Sequence, residues 1–167
     1  MKKTLVLIFG ILCSYNAFSQ SSLTYFKRAQ DKMKLEDYKG AIIDYGKAIE
    51  LNPKNENIYY CRGLAKINLE DYIGALLDYN RVIKLNPNYE PAYYNSASIK
   101  SVLEDYKGAI SDYNKVITLN PKNAKAYYYR GLAKINLKYK NGGCLDLSKA
   151  GELGYVDAYD SIKEYCN

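Results

Sequence analysis

Residues 69–87 read LEDYIGALLDYNRVIKLNP, and the same stretch recurs with small changes at residues 35–53 and 103–121. The copies begin 34 residues apart, and each keeps Leu-Glu-Asp-Tyr at its start, Gly-Ala in its middle and Asn-Pro at its end. A fixed period of roughly 20 to 50 residues indicates a stacked repeat protein. Such proteins usually act by presenting a surface rather than by chemistry at a buried site.

The quoted stretch has the pattern of an α-helix. Its apolar residues between Asp71 and Asn86 recur at steps of one, three and four residues, which is the helical period. Asp71 is placed to cap the start of this helix, Asn86 can adopt a left-handed conformation, and Pro87 cannot continue a helix. A second apolar pattern without proline covers residues 58–69. Each copy is therefore predicted to be two antiparallel helices joined by a short turn.

These residues resemble a known family, the tetratricopeptide repeat. The resemblance lies in the following pattern: Tyr59-x-x-Arg62-Gly63-x-x-Lys66, then Ala75-x-x-x-Tyr79, then Pro87. It implies an all-α fold, a right-handed superhelical solenoid of about four helix-turn-helix units with a C-terminal capping helix. The predicted repeats cover residues 22–55, 56–89, 90–123 and 124–157, and the capping helix covers about 157–166.

Charged residues stand where the family pattern is apolar. Arg62 and Lys66 flank Gly63, and equivalent basic residues occur in the other copies, except that the third copy has Ser96 in place of the arginine. Every copy also has an aspartate in its second helix: Asp44, Asp78, Asp112 and Asp146. We expect an Arg–Asp ladder along the stack, with Ser96 as a missing rung. The alternative is a set of solvated surface charges, each contributing little to stability.

The N-terminus has the three parts of a secretory signal peptide. Lys2 and Lys3 are followed by an apolar run from Leu5 to Cys13 and by small residues up to Ser19. We predict cleavage after Ser19, so that residues 1–19 are the signal peptide and residues 20–167 form the repeat domain. A lipid anchor on Cys13 is the weaker alternative, because Leu12 precedes it where lipoprotein signals have a small residue. The protein is predicted to be exported, periplasmic or secreted, without a transmembrane anchor after cleavage.

The residue inventory argues against catalysis and against nucleic-acid binding. The chain has no histidine, which is the most common general base and metal ligand. It shows no phosphate-binding glycine loop and no zinc-type cysteine spacing, so we predict no enzyme activity, no cofactor and no metal. Its formal net charge of +6 comes from basic residues interleaved with acidic ones, which favours solubility over nucleic-acid binding.

Three cysteines follow the predicted signal peptide. Cys144 lies in the second helix of the last repeat, Cys166 ends the capping helix, and the two are centred on the turn at Gly154 and Tyr155. We expect them to form a disulfide in an oxidising compartment. The alternative is that Cys144 is a small core residue. Cys61 is then an odd thiol, either buried or able to pair between chains.

The resemblance implies a concave groove lined by the first helix of each repeat. Tyrosine occurs 20 times, and most copies at recurring positions are expected to be packing residues. The groove is predicted to carry aromatic and polar side chains with few charges: Phe26, Lys27, Gln30, Tyr60, Leu64, Asn68, Tyr94, Asn95, Ser98, Tyr128, Tyr129 and Leu132. Family members that grip a C-terminal carboxylate use lysine, arginine and asparagine here, and this chain lacks that set.

The leading hypothesis is a non-catalytic adaptor that binds an extended peptide or a partner helix in the concave groove, in the cell envelope or after secretion. The alternative is a glycan or cell-wall binding module, because spaced tyrosines also stack on sugar rings. A third possibility is end-to-end self-association, which the polar capping helix argues against, so a monomer is predicted. The identity of the partner stays open.

Overall fold

The computed structural model describes residues 21–167, and the regular secondary structure of this part of the chain is entirely α-helical. The all-α prediction is confirmed. The chain consists of two compact units, one ending at Leu85 and one running from Asn86 to Asn167. The predicted signal peptide, Gln20 and Cys13 lie outside the described residues. The first unit holds α1 (21–34), α2 (Tyr38–Leu51), α3 (Glu56–Ile67) and α4 (Tyr72–Leu85); the second holds α5 (Glu90–Val102), α6 (Tyr106–Leu119), α7 (Ala124–Asn136), α8 (Lys140–Glu152) and α9 (Asp157–Tyr165).

The recurring Leu-Glu-Asp-Tyr sequence forms the turn inside each hairpin. The carboxylate of Asp71 accepts a hydrogen bond of 2.9 Å from the backbone N–H of Gly74, so it caps α4 as predicted. The residue before this aspartate, Glu70, has a left-handed backbone with φ of 58°. The left-handed conformation allowed at Asn86 is not adopted, because Asn86 does not have a positive φ, and its equivalents Asn52 and Asn120 have φ of −142° and −138°. The left-handed backbone is therefore required in the tight turn between the two helices and not at the end of the hairpin.

Small residues allow the two helices of each hairpin to approach closely. A Cβ added to Gly63 on α3 would lie 2.8 Å from the Tyr79 ring of α4, which is closer than a methyl group can pack. Tyr79, like its equivalents Tyr45 and Tyr113, is essentially excluded from solvent. Because interiors are close-packed, a large ring on one helix needs a small residue on the other. These tyrosines are therefore core residues, as the recurring positions predicted.

Each hairpin contains a buried aspartate held by cations. Asp78 is 3% exposed; its carboxylate lies 2.6 Å from Arg62 Nη2 and 2.8 Å from Lys66 Nζ. The same arrangement joins Arg130 and Lys134 to Asp146. The predicted Arg–Asp pairs are present, whereas the alternative of solvated aspartates is wrong for these two repeats. Each carboxylate also takes a lysine from the next helical turn, a contact that the predicted Arg–Asp ladder did not include.

The first repeat shows the electrostatic consequence of this arrangement. Asp44 is 1% exposed and lies against Arg28 and Lys32. The hydrogen bonds from Arg28, followed by those from Lys32, lower the pKa of this carboxyl to about 2, against the opposing effect of burial. The aspartate therefore remains ionised inside the hairpin at all physiological pH values.

The third repeat replaces the arginine rather than leaving a gap. Ser96 is completely buried, and its hydroxyl donates a hydrogen bond of 2.7 Å to Asp112. Lys100 Nζ lies 2.5 Å from the same carboxylate. The expectation of a missing rung is thus wrong, because a serine hydroxyl can satisfy a carboxylate lone pair that an arginine satisfies elsewhere.

A disulfide between Cys144 of α8 and Cys166 fastens the capping helix, with the two Cα atoms 5.8 Å apart. The sequence pattern predicts one apolar face of α9, made of Ala158, Tyr159, Ile162, Tyr165 and Cys166, with charged residues on the opposite side, but the structure buries only part of that apolar face. Ala158 and Ser161 are its buried residues, while Tyr159 is 56% exposed, packs its ring edge against Gly151 and donates a hydrogen bond of 3.3 Å to the carbonyl of that residue. The predicted polar side is exposed: Asp157, Asp160, Lys163 and Glu164.

Cys61, the remaining cysteine of the described chain, is a free and half-buried thiol on α3. Burial raises its pKa, although a hydrogen bond with Tyr45 opposes the shift. A half-buried, protonated thiol is a poor nucleophile. Pairing of Cys61 between chains stays a prediction.

Candidate binding surfaces on the first helices

The first unit carries two of the predicted groove aromatics, and each is supported by a core tyrosine. The rings of Phe26 and Tyr45 have centroids 5.7 Å apart, and the rings of Tyr60 and Tyr79 repeat that distance. Phe26 and Tyr60 are half-buried, whereas Tyr45 and Tyr79 are fully buried. The packing holds the outer ring in a defined orientation while part of its surface meets solvent.

The other predicted groove residues of the first unit are more polar. Lys27 and Gln30 of α1 are exposed, and the ion pair between Lys34 and Asp31 adds two further charges to the same helix. On α3, Leu64 is half-buried and its carbonyl accepts a hydrogen bond of 2.9 Å from the Asn68 side chain. Asn68 therefore bonds to its own helix, while Lys27 and Gln30 present polar groups to solvent.

The second unit contains a more extensive group of aromatic rings, which we call the tyrosine cluster. Tyr129 is at its centre, with ring centroids 6.4 Å from Tyr94, 6.3 Å from Tyr113 and 5.1 Å from Tyr128. Tyr128 also packs 4.7 Å from Tyr155, in the turn before α9. The structure thus brings three predicted groove residues, Tyr94, Tyr128 and Tyr129, into one cluster.

The remaining predicted groove residues of the second unit border the cluster. The Ser98 hydroxyl donates to the carbonyl of Tyr94 at 3.0 Å and lies 3.2 Å from the hydroxyl of Tyr113. Asn95 and Leu132 are half-buried. Their contact with a ligand stays a prediction, as it does for the whole groove set.

The capping helix completes the tyrosine cluster. The hydroxyl of Tyr128 lies 3.0 Å from that of Ser161 on α9, and the hydroxyl of Tyr155 is hydrogen bonded with Tyr129 and Asp157. Sequence reasoning missed Tyr155 and Ser161. A signal for Tyr155 was present, because it stands where the other repeats have the proline of Asn-Pro.

Three hydroxyls of the cluster, those of Tyr94, Tyr113 and Tyr155, have a raised pKa. Burial raises the pKa of Tyr113 to about 12, although its hydrogen bonds with Ser98 and Ser101 oppose the shift. Burial also raises the pKa of Tyr94, with smaller contributions from neighbouring tyrosines. The pKa of Tyr155 rises for the same reason and through its hydrogen bond with Tyr129. These hydroxyls are therefore hydrogen-bond donors at neutral pH.

Two further observations bear on the class of site. Within residues 21–167, no three acidic or cysteine side chains are grouped closely enough to hold a metal ion. The helices of the same part of the chain are too short or too polar to cross a membrane.

Comparison with known families agrees with this architecture. The family model described as "TPR repeat" matches residues 29–69 and 103–137, and the model described as "Tetratricopeptide repeat" matches residues 56–89. The chain belongs to the tetratricopeptide repeat family. Members of this family are in general non-catalytic scaffolds.

Solved tetratricopeptide repeat structures resemble the chain closely in fold. The first TPR of Spaghetti (RPAP3), bound to the HSP90 peptide SRMEEVD, is 27% identical with a TM-score of 0.68, over 72% of this chain and 95% of that one. The MamA RS-1 ArsTM double mutant is 25% identical with a TM-score of 0.78, over 80% of this chain and 75% of that one. YrrB, described as a TPR protein with an unusual peptide-binding site, is 20% identical with a TM-score of 0.78, over 96% of this chain and 88% of that one. No curated protein matches the chain.

Proposed function

We propose that this protein is a non-catalytic interaction module that binds an extended peptide or a partner helix on the groove surfaces of its first helices. The observation that carries the proposal is the support of the outer aromatic rings by core tyrosines, as in the pairs Phe26–Tyr45 and Tyr94–Tyr113. A rigid aromatic ring offers contact area at low entropy cost, and a tyrosine ring adds a hydroxyl group, which suits protein recognition.

The comparisons supply a second line of support. The Spaghetti (RPAP3) domain was solved with a bound peptide, and YrrB is described as having a peptide-binding site. The acidic HSP90 peptide is an unsuitable model for the ligand here. Phe26 and Tyr60 stand where carboxylate-gripping members have lysine, so the partner differs in chemistry.

The working location proposed for the module is the cell envelope or the extracellular space. The support is the signal-peptide pattern of residues 1–19. The mass of the protein purified from its native host tests this directly, since cleavage after Ser19 leaves a chain that begins at Gln20. A mass that includes residues 1–19 would contradict export by this route.

Photo-crosslinking tests the proposed binding surface. A photoreactive amino acid replaces Tyr94, and a matched control replaces Leu145, which is 73% exposed on the outer helix α8. One dominant protein adduct at position 94, absent at position 145, supports the module and identifies its partner. Adducts at position 145 alone would move binding to the outer helices. An absence of protein adducts at 94, together with retention on purified cell-wall fragments, would favour glycan binding.

The module is also proposed to act as a monomer, because the outward side of α9 is charged. Sedimentation of the purified protein checks this, and a stable oligomer would revive end-to-end stacking.

A further inference from the structure

The turn before α8 differs from the equivalent turns of the first three repeats. Those turns read Glu-Asp-Tyr, then one variable residue, then glycine, whereas the fourth reads Lys-Tyr-Lys-Asn-Gly over residues 138–142. Both acidic residues are replaced, and Asn141-Gly142 is the single Asn-Gly pair in the sequence. Glycine has no side chain to shield its backbone nitrogen, so the side-chain amide of a preceding asparagine can be attacked by that nitrogen.

The backbone nitrogen of this glycine is capped in the first three repeats and not in the fourth. In the second repeat the carboxylate of Asp71 accepts a hydrogen bond of 2.9 Å from the N–H of Gly74, and the first and third repeats have the same bond. In the fourth repeat Tyr139 occupies the cap position, and the part of the chain that the structure describes shows no side-chain capping bond there. Because the first N–H groups of a helix have no intrahelical acceptor, no cap restrains the nitrogen of Gly142.

The first turn of α8 is also open to solvent. Asn141 is exposed, and a Cβ added to Gly142 would meet the side chain of Lys134 first, at 3.7 Å. Residues 138–142 line a surface pocket of about 340 Å³, which admits water to the same turn. Two successive glycines lower the helix propensity of this turn, and an uncapped helix end frays readily. The turn can therefore leave the helical conformation while the rest of the repeat stays folded.

We propose that Asn141 is a site of spontaneous deamidation in the folded protein. The backbone nitrogen of Gly142 loses its proton to water and attacks Cγ of Asn141. The new N–Cγ bond closes a succinimide ring, the bond between Cγ and Nδ2 breaks, and the leaving nitrogen takes a proton and departs as ammonia. Water then adds to either carbonyl of the ring and opens it, which gives an aspartate or an isoaspartate at position 141. Water is the co-reactant, and neither an oxidant nor a reductant takes part.

The products change both the charge and the backbone of this turn. The new carboxylate stands in the first turn of α8, where the helix dipole favours negative charge, and next to the exposed Lys140. The isoaspartate product also adds one methylene group to the backbone. Position 141 lies inside the turn that is closed by the hydrogen bond of 2.9 Å from the Gly143 N–H to the Tyr139 carbonyl, so the added group lengthens that turn.

Ageing of the purified, full-length mature protein tests the proposal. The folded protein, with its disulfide intact, is incubated at neutral pH in heavy-oxygen water, and peptide mapping at acidic pH in ordinary water measures the heavy oxygen at position 141. Deamidation during digestion is not counted, because heavy oxygen enters during the incubation alone. Asn95-Ser96 is an internal reference, since it lies inside α5 and Ser96 is fully buried. Methylation by a protein-isoaspartate methyltransferase detects the isoaspartate product.

Variants at position 139 separate the missing cap from the Asn-Gly pair as causes. Tyr139→Asp and Tyr139→Ser restore a capping side chain with and without a charge, whereas Tyr139→Ala removes the ring without adding a cap. Tyr139 is 61% exposed, so these substitutions leave the core intact. Asn141→Gln is the negative control, because its longer side chain disfavours closure of the ring.

We expect heavy oxygen to enter at position 141 and not at position 95, at a rate within an order of magnitude of that in the reduced protein unfolded in urea. Both capping variants should slow the reaction about fivefold, which is the factor that a cap of ordinary strength gives. Tyr139→Ala should leave the rate unchanged. The proposal is overturned if folding protects position 141 by more than an order of magnitude, if position 95 reacts as fast, or if Tyr139→Ala slows the reaction as much as Tyr139→Ser.

Discussion

Arg62 donates two hydrogen bonds to the carboxylate of Asp78, with Nε 2.9 Å from Oδ2 and Nη2 2.6 Å from Oδ1. Lys66 Nζ adds a third contact at 2.8 Å. The aspartate is 3% exposed, so its charge is removed from water and depends on these cations. The pair joins the two helices of one hairpin, and it replaces the apolar contact that the family pattern leads one to expect at this point.

Replacing Arg62 with methionine is expected to lower the free energy of unfolding by about 2 kcal/mol. The loss is smaller than for a fully uncompensated buried charge, because Lys66 continues to hold Asp78. Urea unfolding measures the change. Lys39→Met, at an exposed position on α2, is the control and should fall within about 0.5 kcal/mol of the parent. An equal free energy of unfolding for Arg62→Met and the parent would show that the contact between Arg62 and Asp78 does not stabilise the folded protein.

Acid should remove the stabilisation that Asp44 provides. Its pKa in the folded protein is about 2, below the ordinary value of 3.8, so the ionised form is favoured by folding. The contribution is complete above about pH 4 and is lost as the pH falls toward 2, with a maximum of about 2 kcal/mol. Urea unfolding of the parent and Asp44→Asn at pH 6, 4, 3 and 2 tests this. The difference between the two proteins should shrink below pH 4, and a difference independent of pH would refute the assignment.

The disulfide is expected to resist alkylation until it is reduced. Under denaturing conditions, intact mass should show two more alkylated cysteines after reduction than before, from Cys144 and Cys166. Cys166→Ser should lower the free energy of unfolding by about 3 kcal/mol in the chain-entropy model. It should also increase amide hydrogen exchange in α9 more than in α7. Unchanged exchange in α9 would mean that Ala158 and its neighbours hold the helix without the disulfide.

Two glycine substitutions should have opposite effects because the backbone differs at the two sites. Glu70 has φ of 58°, where only glycine is free of a steric penalty, so Glu70→Gly should raise stability by up to about 1 kcal/mol. Glu50 lies in the last turn of α2, where Glu50→Gly should lower stability by about 0.5 kcal/mol. Thermal unfolding of the two variants beside the parent gives the signs. The same sign in both would contradict the turn geometry.

Much of the fold could be read from periodicity. The 34-residue step, the helical spacing after Asp71 and the prolines after each hairpin are local properties, so they predicted the helix pairs and their order. The core role of Tyr79 also followed, because a recurring large residue opposite a recurring small one must fill the space between two helices. The midpoint of Cys144 and Cys166 at a turn brought the two cysteines together for the same reason.

The predictions that failed concern groups that meet across helices. Ser96 was predicted to leave Asp112 without a partner, because the other repeats have an arginine at this position. The buried Ser96 hydroxyl instead donates a hydrogen bond to Asp112 directly. Ser161 is a polar residue among the apolar residues of α9, so the pattern alone does not show that its hydroxyl lies beside that of Tyr128. A periodic pattern shows which face a residue occupies. It does not show which atom of a neighbouring helix stands within hydrogen-bond distance.

Spacing along one chain is enough to establish the repeat and the helices, since both depend on local pattern. The two partners of each buried aspartate and the rings around Tyr129 follow instead from packing between helices. Those outcomes depend on the distance between separate helices and on the rotamers that close packing leaves available. These distances and rotamers cannot be read from the spacing of residues along the chain.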